Sequence, residues 1–141
     1  MTLIIANIII VVSAILSLIF GLLYLTRTKF MSYHSTALDQ KWEDLSPKFQ
    51  TIILALMRSV GGGLLSVSVT ILILQYQFNK LPQKWIALSI FICGIIMTIG
   101  ILSAHYLVMK NTKGRPPVIA ALLVFILLTV GYFLNSDVLK Q

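Results

Sequence analysis

Apolar residues in this chain gather into four long runs that are separated by shorter polar segments. At about 1.5 Å per helical residue, each of the first three runs can cross a hydrocarbon core about 30 Å thick, and the fourth is close to the minimum length. The pattern predicts four membrane-spanning helices, at about residues 3–25, 49–78, 85–109 and 118–134.

The connection between the first two runs, residues 26–48, is too long for a simple turn. Within it, Leu38, Trp42 and Leu45 recur at i, i+4 and i+7, which is the spacing of one helical face. We therefore predict a short amphipathic helix at about residues 37–45 that lies at the membrane surface.

The second run is preceded by Ser46 and Pro47, a favourable N-cap and a favourable first helical residue. Because the run is longer than a bilayer requires, its helix is expected to tilt, protrude or bend. Together the elements predict an all-α integral membrane fold, a four-helix transmembrane bundle running up-down-up-down with a short interfacial helix between spans one and two. Residues 1–141 are expected to form a single transmembrane domain.

Composition places the chain in lipid rather than in water. It is 58% hydrophobic and only 11% charged, whereas a soluble domain carries about 25% charged residues. The net charge of +7 does not indicate nucleic acid, because the basic residues lie mostly between apolar runs and no nucleic-acid-binding motif is visible. The predicted partners are membrane lipids, with a homo-oligomer as a further alternative.

Basic residues are distributed unequally between the connections. Seven of the 11 lie in the first and third connections, namely Arg27, Lys29, Lys41, Lys48, Lys110, Lys113 and Arg115. Since cytoplasmic loops are enriched in Lys and Arg, loops 26–48 and 110–117 are predicted to be cytoplasmic, with both termini outside. The predicted location is a bacterial cytoplasmic (inner) membrane.

Small residues recur at helical spacing within the runs, where they let helix backbones approach closely. One face of the second span combines Ser59, Gly62, Gly63, Ser66 and Thr70, and we expect it to point into the bundle. The residues assigned to helix packing are Ser13, Ser17, Gly21, Gly61, Gly62, Gly63, Ser66 and Gly94.

Arg58 lies within the second apolar run, shortly before the three glycines at 61–63. A charged side chain inside a span is costly, and it usually has a partner or a route to water. Three interpretations stay open. Arg58 pairs with a carboxylate of the first connection (Asp39, Glu43 or Asp44), snorkels to the interface, or binds an anionic ligand group in a bidentate manner.

The predicted topology brings polar side chains together at the cytoplasmic end of the bundle. Tyr24 closes the first span, His105 lies one to two turns before the end of the third, and the first connection hangs over the opening. The candidate ligand pocket comprises Arg58, His105, His34, Tyr33, Tyr24, Ser59, Glu43 and Asp39. Arg58 would supply a fixed positive charge, and a histidine would handle a proton or orient the ligand.

Three functions are compatible with these features. The first is the binding of a lipid or an anionic amphiphile in this pocket. The second is transport or conduction by an oligomer, and the third is an enzyme on a lipid-like substrate with His34 or His105 as acid or base. Whether the protein is an enzyme is left open by the sequence. No HExxH motif or comparable ligand spacing indicates a metal, and no cofactor is predicted.

Overall fold

Helices account for nearly all of the computed structural model of this protein, which describes residues 2–139, Val138 by its backbone alone. They are α1 Thr2–Thr26, α2 Ser32–Leu38, α3 Pro47–Lys80, α4 Lys84–Asn111 and α5 Val118–Val138, with a 3₁₀ turn at Trp42–Asp44. Helices α1, α3, α4 and α5 are long and apolar enough to cross a membrane. Because residues 2–139 contain no strand, the predicted all-α helical bundle is confirmed.

The four long helices form a closed ring in the order α1, α3, α4, α5, in which each packs against two neighbours. The buried face of α3 advances in alternating steps of four and three residues, through Met57, Gly61, Leu64, Ser68, Ile71, Gln75 and Phe78. The buried face of α5 repeats the pattern with Ala121, Val124, Leu128, Gly131 and Asn135. Because this repeat keeps one seam towards the neighbour, it suits helices that cross at about 20°.

The two ends of the bundle differ in construction. At the turn end, residues 81–83 join α3 directly to α4. At the opposite end, named the loop end, lie the two longer connections, 27–46 and 112–117. The large buried apolar side chains Ile10, Ile71, Phe78, Ile90 and Leu128 form one core cluster, which fills the half of the bundle nearer the turn end.

Helix α3 begins as predicted. Ser46 Oγ accepts a hydrogen bond from the backbone N–H of Phe49 at 3.4 Å, and Pro47 is the first helical residue. From its crossing with Gly21 of α1, at Gly61, α3 continues about 21 Å to its start, whereas α1 continues only about 8 Å to its end. The excess length of the second apolar run is therefore used to protrude beyond α1 at the loop end.

The short helix of the first connection is displaced from its predicted position at about 37–45. Helix α2 instead covers Ser32–Leu38, and Asp39 ends it with a left-handed backbone, φ 52°. The periodicity was misleading because Leu45 lies beyond this helix end and packs against Met57 of α3. A helical spacing of apolar residues thus arose from side chains in separate elements.

The face of α3 predicted to point into the bundle points outward. Gly62 is half-buried with no atom within 4 Å of the position of an added Cβ, and Ser59, Gly63, Ser66 and Thr70 are exposed. The assignment of Gly62, Gly63 and Ser66 to helix packing is therefore wrong, whereas Ser13, Ser17, Gly21, Gly61 and Gly94 are buried.

The neighbouring stripe of α3 makes the contact because it combines close approach with large apolar side chains. A Cβ on Gly61 would lie 2.7 Å from the carbonyl oxygen of Gly21, so the backbones of α1 and α3 touch there. Leu64, Ile71 and Phe78 continue the same stripe and supply packing area that the small-residue face lacks.

Candidate functional site

A cavity of about 620 Å³ lies at the loop end, between the N-terminal half of α3 and the C-terminal half of α4. This loop-end cavity is lined by Tyr24, Tyr33, His34, Ala37, Leu38, Phe49, Ile53, Leu56, Met57, Val60, Met97, Gly100, Ile101, Ala104, His105, Val108 and Thr112. Its volume falls within the range of about 300–1,000 Å³ that is typical of small-molecule sites. Most of the lining is apolar, and its polar side chains are those of Tyr24, Tyr33, His34, His105 and Thr112.

Helix α2 is held against the cavity by the connection between α4 and α5. A Cβ on Gly114 would lie 2.8 Å from the Cβ of Ala37 and 3.0 Å from the carbonyl oxygen of Tyr33, so the two segments are in direct contact. Before α2, the Phe30 ring packs edge-on against Trp42 with centroids 5.1 Å apart. These contacts fix the part of the chain that brings Tyr33 and His34 to the cavity.

The hydroxyl groups of Tyr24 and Tyr33 share a hydrogen bond of 2.5 Å that links α1 to α2. Burial and this bond raise the pKa of Tyr33, so its hydroxyl stays protonated. Because the bond uses only one of the two hydroxyl protons, the second can be donated to a bound molecule.

The imidazole of His34 caps the start of α2. Its Nδ1 accepts a hydrogen bond from the backbone N–H of Met31 at 3.2 Å, so the neutral ring carries its proton on Nε2. Burial lowers the pKa of His34, which favours the neutral form. The ring centroid lies 4.1 Å from that of Tyr33, so an N–H donor and the tyrosine pair are neighbours.

His105, from the last third of α4, is only 9% exposed. Its Nδ1 is enclosed, and no hydrogen-bond partner for this atom exists among residues 2–139. His105 also lines a smaller cavity of about 70 Å³, together with Ser17, Tyr24 and Thr98. A buried polar atom without a partner costs about 1–3 kcal/mol, so a polar group brought to this ring would be stabilising.

Arg58, the centre of the predicted pocket, does not line the loop-end cavity and lies on the exposed face of α3. Within the described part of the chain it forms no ion pair; the pair found there joins Lys29 to Glu43. Arg58 lies one turn from Gly61 and is therefore about level with Tyr24, in the last turns of α1. Because Arg58 forms no ion pair among the described residues and does not line the cavity, snorkelling to the interface through its long side chain is favoured over the other two interpretations.

Three further residues of the predicted pocket also lie away from the cavity. Ser59 is exposed and donates its hydroxyl to the carbonyl oxygen of Ala55 at 3.0 Å. The hydrogen bond from Lys29 lowers the pKa of the exposed Glu43, and Asp39 ends α2. Of the eight predicted pocket residues, the structure brings together Tyr24, Tyr33, His34 and His105.

A chain of hydrogen-bonded amide side chains, which was not predicted from the sequence, lies towards the turn end. Asn135 Nδ2 donates to Gln75 Oε1 at 3.1 Å, Gln75 Nε2 donates to Asn79 Oδ1 at 3.1 Å, and Asn79 Nδ2 donates to Asn7 Oδ1 at 2.6 Å. The sequence feature that could have indicated this chain is an amide residue at a buried position of the four-three repeat in both helices, Gln75 in α3 and Asn135 in α5. The chain links α1, α3 and α5, so we interpret it as structural.

No protein-family model matches this chain, and searches of curated proteins and of solved structures find no match. Function is therefore inferred from the loop-end cavity and its polar groups.

Proposed function

We propose that this protein binds a membrane-soluble amphiphile in the loop-end cavity. The hydrocarbon tail would lie between α3 and α4, and the polar head would lie at Tyr24, Tyr33, His34 and His105. This proposal keeps the predicted activity, the binding of a lipid-like molecule, and moves the site from Arg58 to the opposite side of α3.

The observation that carries the proposal is the unpartnered Nδ1 of His105 beside a cavity of ligand size. In membrane interiors, polar side chains face protein or cavities and mark functional sites by default. A hydroxyl or carbonyl oxygen of a ligand, with a modest rotation of the imidazole, would satisfy the ring. An apolar tail would fill the remaining volume against the methyl and methylene groups of α3 and α4.

The exposure of the cavity lining supports entry from the lipid phase. Among the lining side chains, Phe49 is 43% exposed, Leu56 62% and Leu38 40%. A cavity that opens between two spanning helices through such side chains is in contact with lipid tails when the bundle is embedded. A tail can therefore enter sideways without crossing water.

Catalysis is less well supported than binding. Within the described part of the chain, no carboxylate or hydroxyl lies within hydrogen-bond distance of either His34 or His105. An acid or base needs such a partner, or a substrate group held in its place, to be oriented for proton transfer. The tyrosine pair and the two histidines are better suited to donating hydrogen bonds to a polar head group.

We further propose that the loop end faces the cytoplasm of a bacterial inner membrane. The support is the surplus of Lys and Arg in the two connections at that end. In a Cys93→Ser background, an impermeant thiol reagent added outside should label an introduced cysteine at Leu81 but not at Lys113. Labelling at Lys113 alone would reverse the orientation while leaving the binding proposal intact.

Native mass spectrometry of protein released from mild detergent tests the binding proposal. We expect the wild-type protein to retain a small amphiphile, and Ala104→Phe, which fills the cavity, to lose it. Ser103→Phe is the matched control, because Ser103 is exposed on α4 and does not line the cavity. Equal occupancy in both variants, or none in the wild type, would refute the proposal.

A further inference from the structure

No charged side chain lines the loop-end cavity. On α3, Lys48 and Arg58 lie next to the lining residues Phe49 and Met57, but both are exposed and neither lines the cavity. Arg58 lies on the exposed face of α3, and Lys110 lies over the ring of Tyr106, 5.6 Å from its centroid. Tyr106 is itself 57% exposed and does not line the cavity. A carboxylate or phosphate placed in the cavity would therefore find no cation among the lining side chains.

The polar groups that do line the cavity are neutral. Burial and the bond to Tyr24 raise the pKa of Tyr33, and burial lowers the pKa of His34, so neither side chain is charged near neutral pH. Thr112 is satisfied internally, since its hydroxyl donates to the carbonyl oxygen of Val108 at 2.7 Å. Transfer of an ionised head into such surroundings is strongly unfavourable, whereas a neutral polar head needs only hydrogen bonds.

The available hydrogen-bonding capacity is mainly that of donors. The tyrosine pair has one unused O–H, and His34 has the N–H on Nε2 because its Nδ1 is occupied by Met31. His105 can donate from one ring nitrogen and accept at the other. An oxygen that accepts two or three hydrogen bonds, with or without a proton of its own, is the group these side chains match.

We infer that the head group of the bound amphiphile is uncharged and carries a carbonyl or hydroxyl oxygen, as in long-chain alcohols, ketones and quinones. The inference rests on the proposed function and specifies the ligand class of the same site. It replaces the anionic ligand that the sequence suggested, because the cation expected to bind that anion lies outside the cavity.

Three probes with one tail separate the head-group inference from the binding proposal. Tetradecanol, tetradecanesulfonate and tetradecane are added at the same low mole fraction to lipid nanodiscs that hold the wild-type protein or Ala104→Phe. The readout is the thermal unfolding midpoint, Tm, with Ser103→Phe as a second reference that keeps the cavity open. Comparison with Ala104→Phe removes any effect of the additive on the bilayer itself.

We expect tetradecanol to raise Tm of the wild type and of Ser103→Phe by about 2–4 °C more than that of Ala104→Phe. Tetradecanesulfonate and tetradecane should give no such difference. Equal or greater stabilisation by tetradecanesulfonate would overturn the head-group inference and leave amphiphile binding standing. Equal stabilisation by tetradecane would overturn both, because the polar head would then contribute nothing. If no probe distinguishes the wild type from Ala104→Phe, both the inference and the proposed function fail.

Discussion

The hydroxyl of Tyr24, at the end of α1, and the hydroxyl of Tyr33, in α2, form a hydrogen bond 2.5 Å long at the edge of the loop-end cavity. This bond joins a spanning helix to the short helix that lies across the cavity. The bond therefore helps to hold α2 in the position where its side chains line the cavity.

Replacing Tyr33 by Phe should loosen α2. The change removes one partner of a half-buried hydrogen bond, with an expected cost of about 0.5–1.5 kcal/mol. Hydrogen exchange over residues 27–46 should speed up several-fold in this variant. Tyr106→Phe is the control, because Tyr106 is exposed on α4, and it should leave that exchange unchanged. Unaltered protection in Tyr33→Phe would mean that packing alone holds α2.

Two adjacent glycines should differ in their response to a larger side chain. Gly61→Ala puts a methyl group 2.7 Å from the carbonyl oxygen of Gly21, so it should force α1 and α3 apart at a cost of about 1–3 kcal/mol. Gly62→Ala adds a methyl group to open space and should not destabilise the bundle. Thermal unfolding in detergent compares them, and a larger loss for Gly62→Ala would invert the assigned face of α3.

The amide chain predicts a non-additive pair of substitutions. Gln75→Leu leaves Asn135 Nδ2 and Asn79 Oδ1 without their partners, so it should cost about 1–3 kcal/mol. Adding Asn135→Leu removes the buried one of these two unpartnered amides and should recover part of the loss. A double-mutant cycle on unfolding free energies measures the coupling. Strict additivity would show that the two amides do not interact.

Acidification should release α2 through His34. Its pKa is lowered by burial in the folded protein, so the unfolded segment takes up a proton first as the pH falls below the ordinary value of 6.5. The contribution of neutral His34 to the stability of the folded segment is therefore fully present above pH 6.5. It is lost as the pH falls through the lowered pKa of the folded protein.

Protonation of Nδ1 also removes the acceptor for the Met31 N–H. We expect proteolysis within residues 27–46 to accelerate between pH 7.5 and about pH 5 in the wild type. His34→Asn keeps an acceptor that does not titrate, so its profile should be flatter. An identical profile in the two proteins would assign the pH dependence to other groups.

The spanning helices could be predicted because their apolar length alone decides the assignment. The position of the short helix in the first connection could not be predicted. The spacing of Leu38, Trp42 and Leu45 resembles one helical face, although the left-handed backbone of Asp39 ends the helix before Trp42. In such a case tertiary contacts with α3 decide which residue is buried.

The inward face of α3 was misassigned because two stripes of small residues lie side by side on the helix. Gly61 and Gly62 are both suited to close approach, and the choice between them depends on which stripe also carries Leu64, Ile71 and Phe78. The same ambiguity explains why the candidate site was predicted on the wrong side of α3. Arg58 shares a run with the cavity-lining Met57 and Val60 but lies on another side of the helix.

Nitrogen-15 NMR of the imidazole rings tests the central claim most directly. The chain has two histidines, so a histidine-labelled sample gives two sets of signals, which His34→Asn assigns. We predict that removing the co-purified amphiphile by detergent exchange, and then adding tetradecanol, shifts the ring-nitrogen signals of His105 reversibly. Ala104→Phe should abolish this response. Signals of His105 that do not change between the depleted and reloaded protein would contradict a ligand at the loop-end cavity.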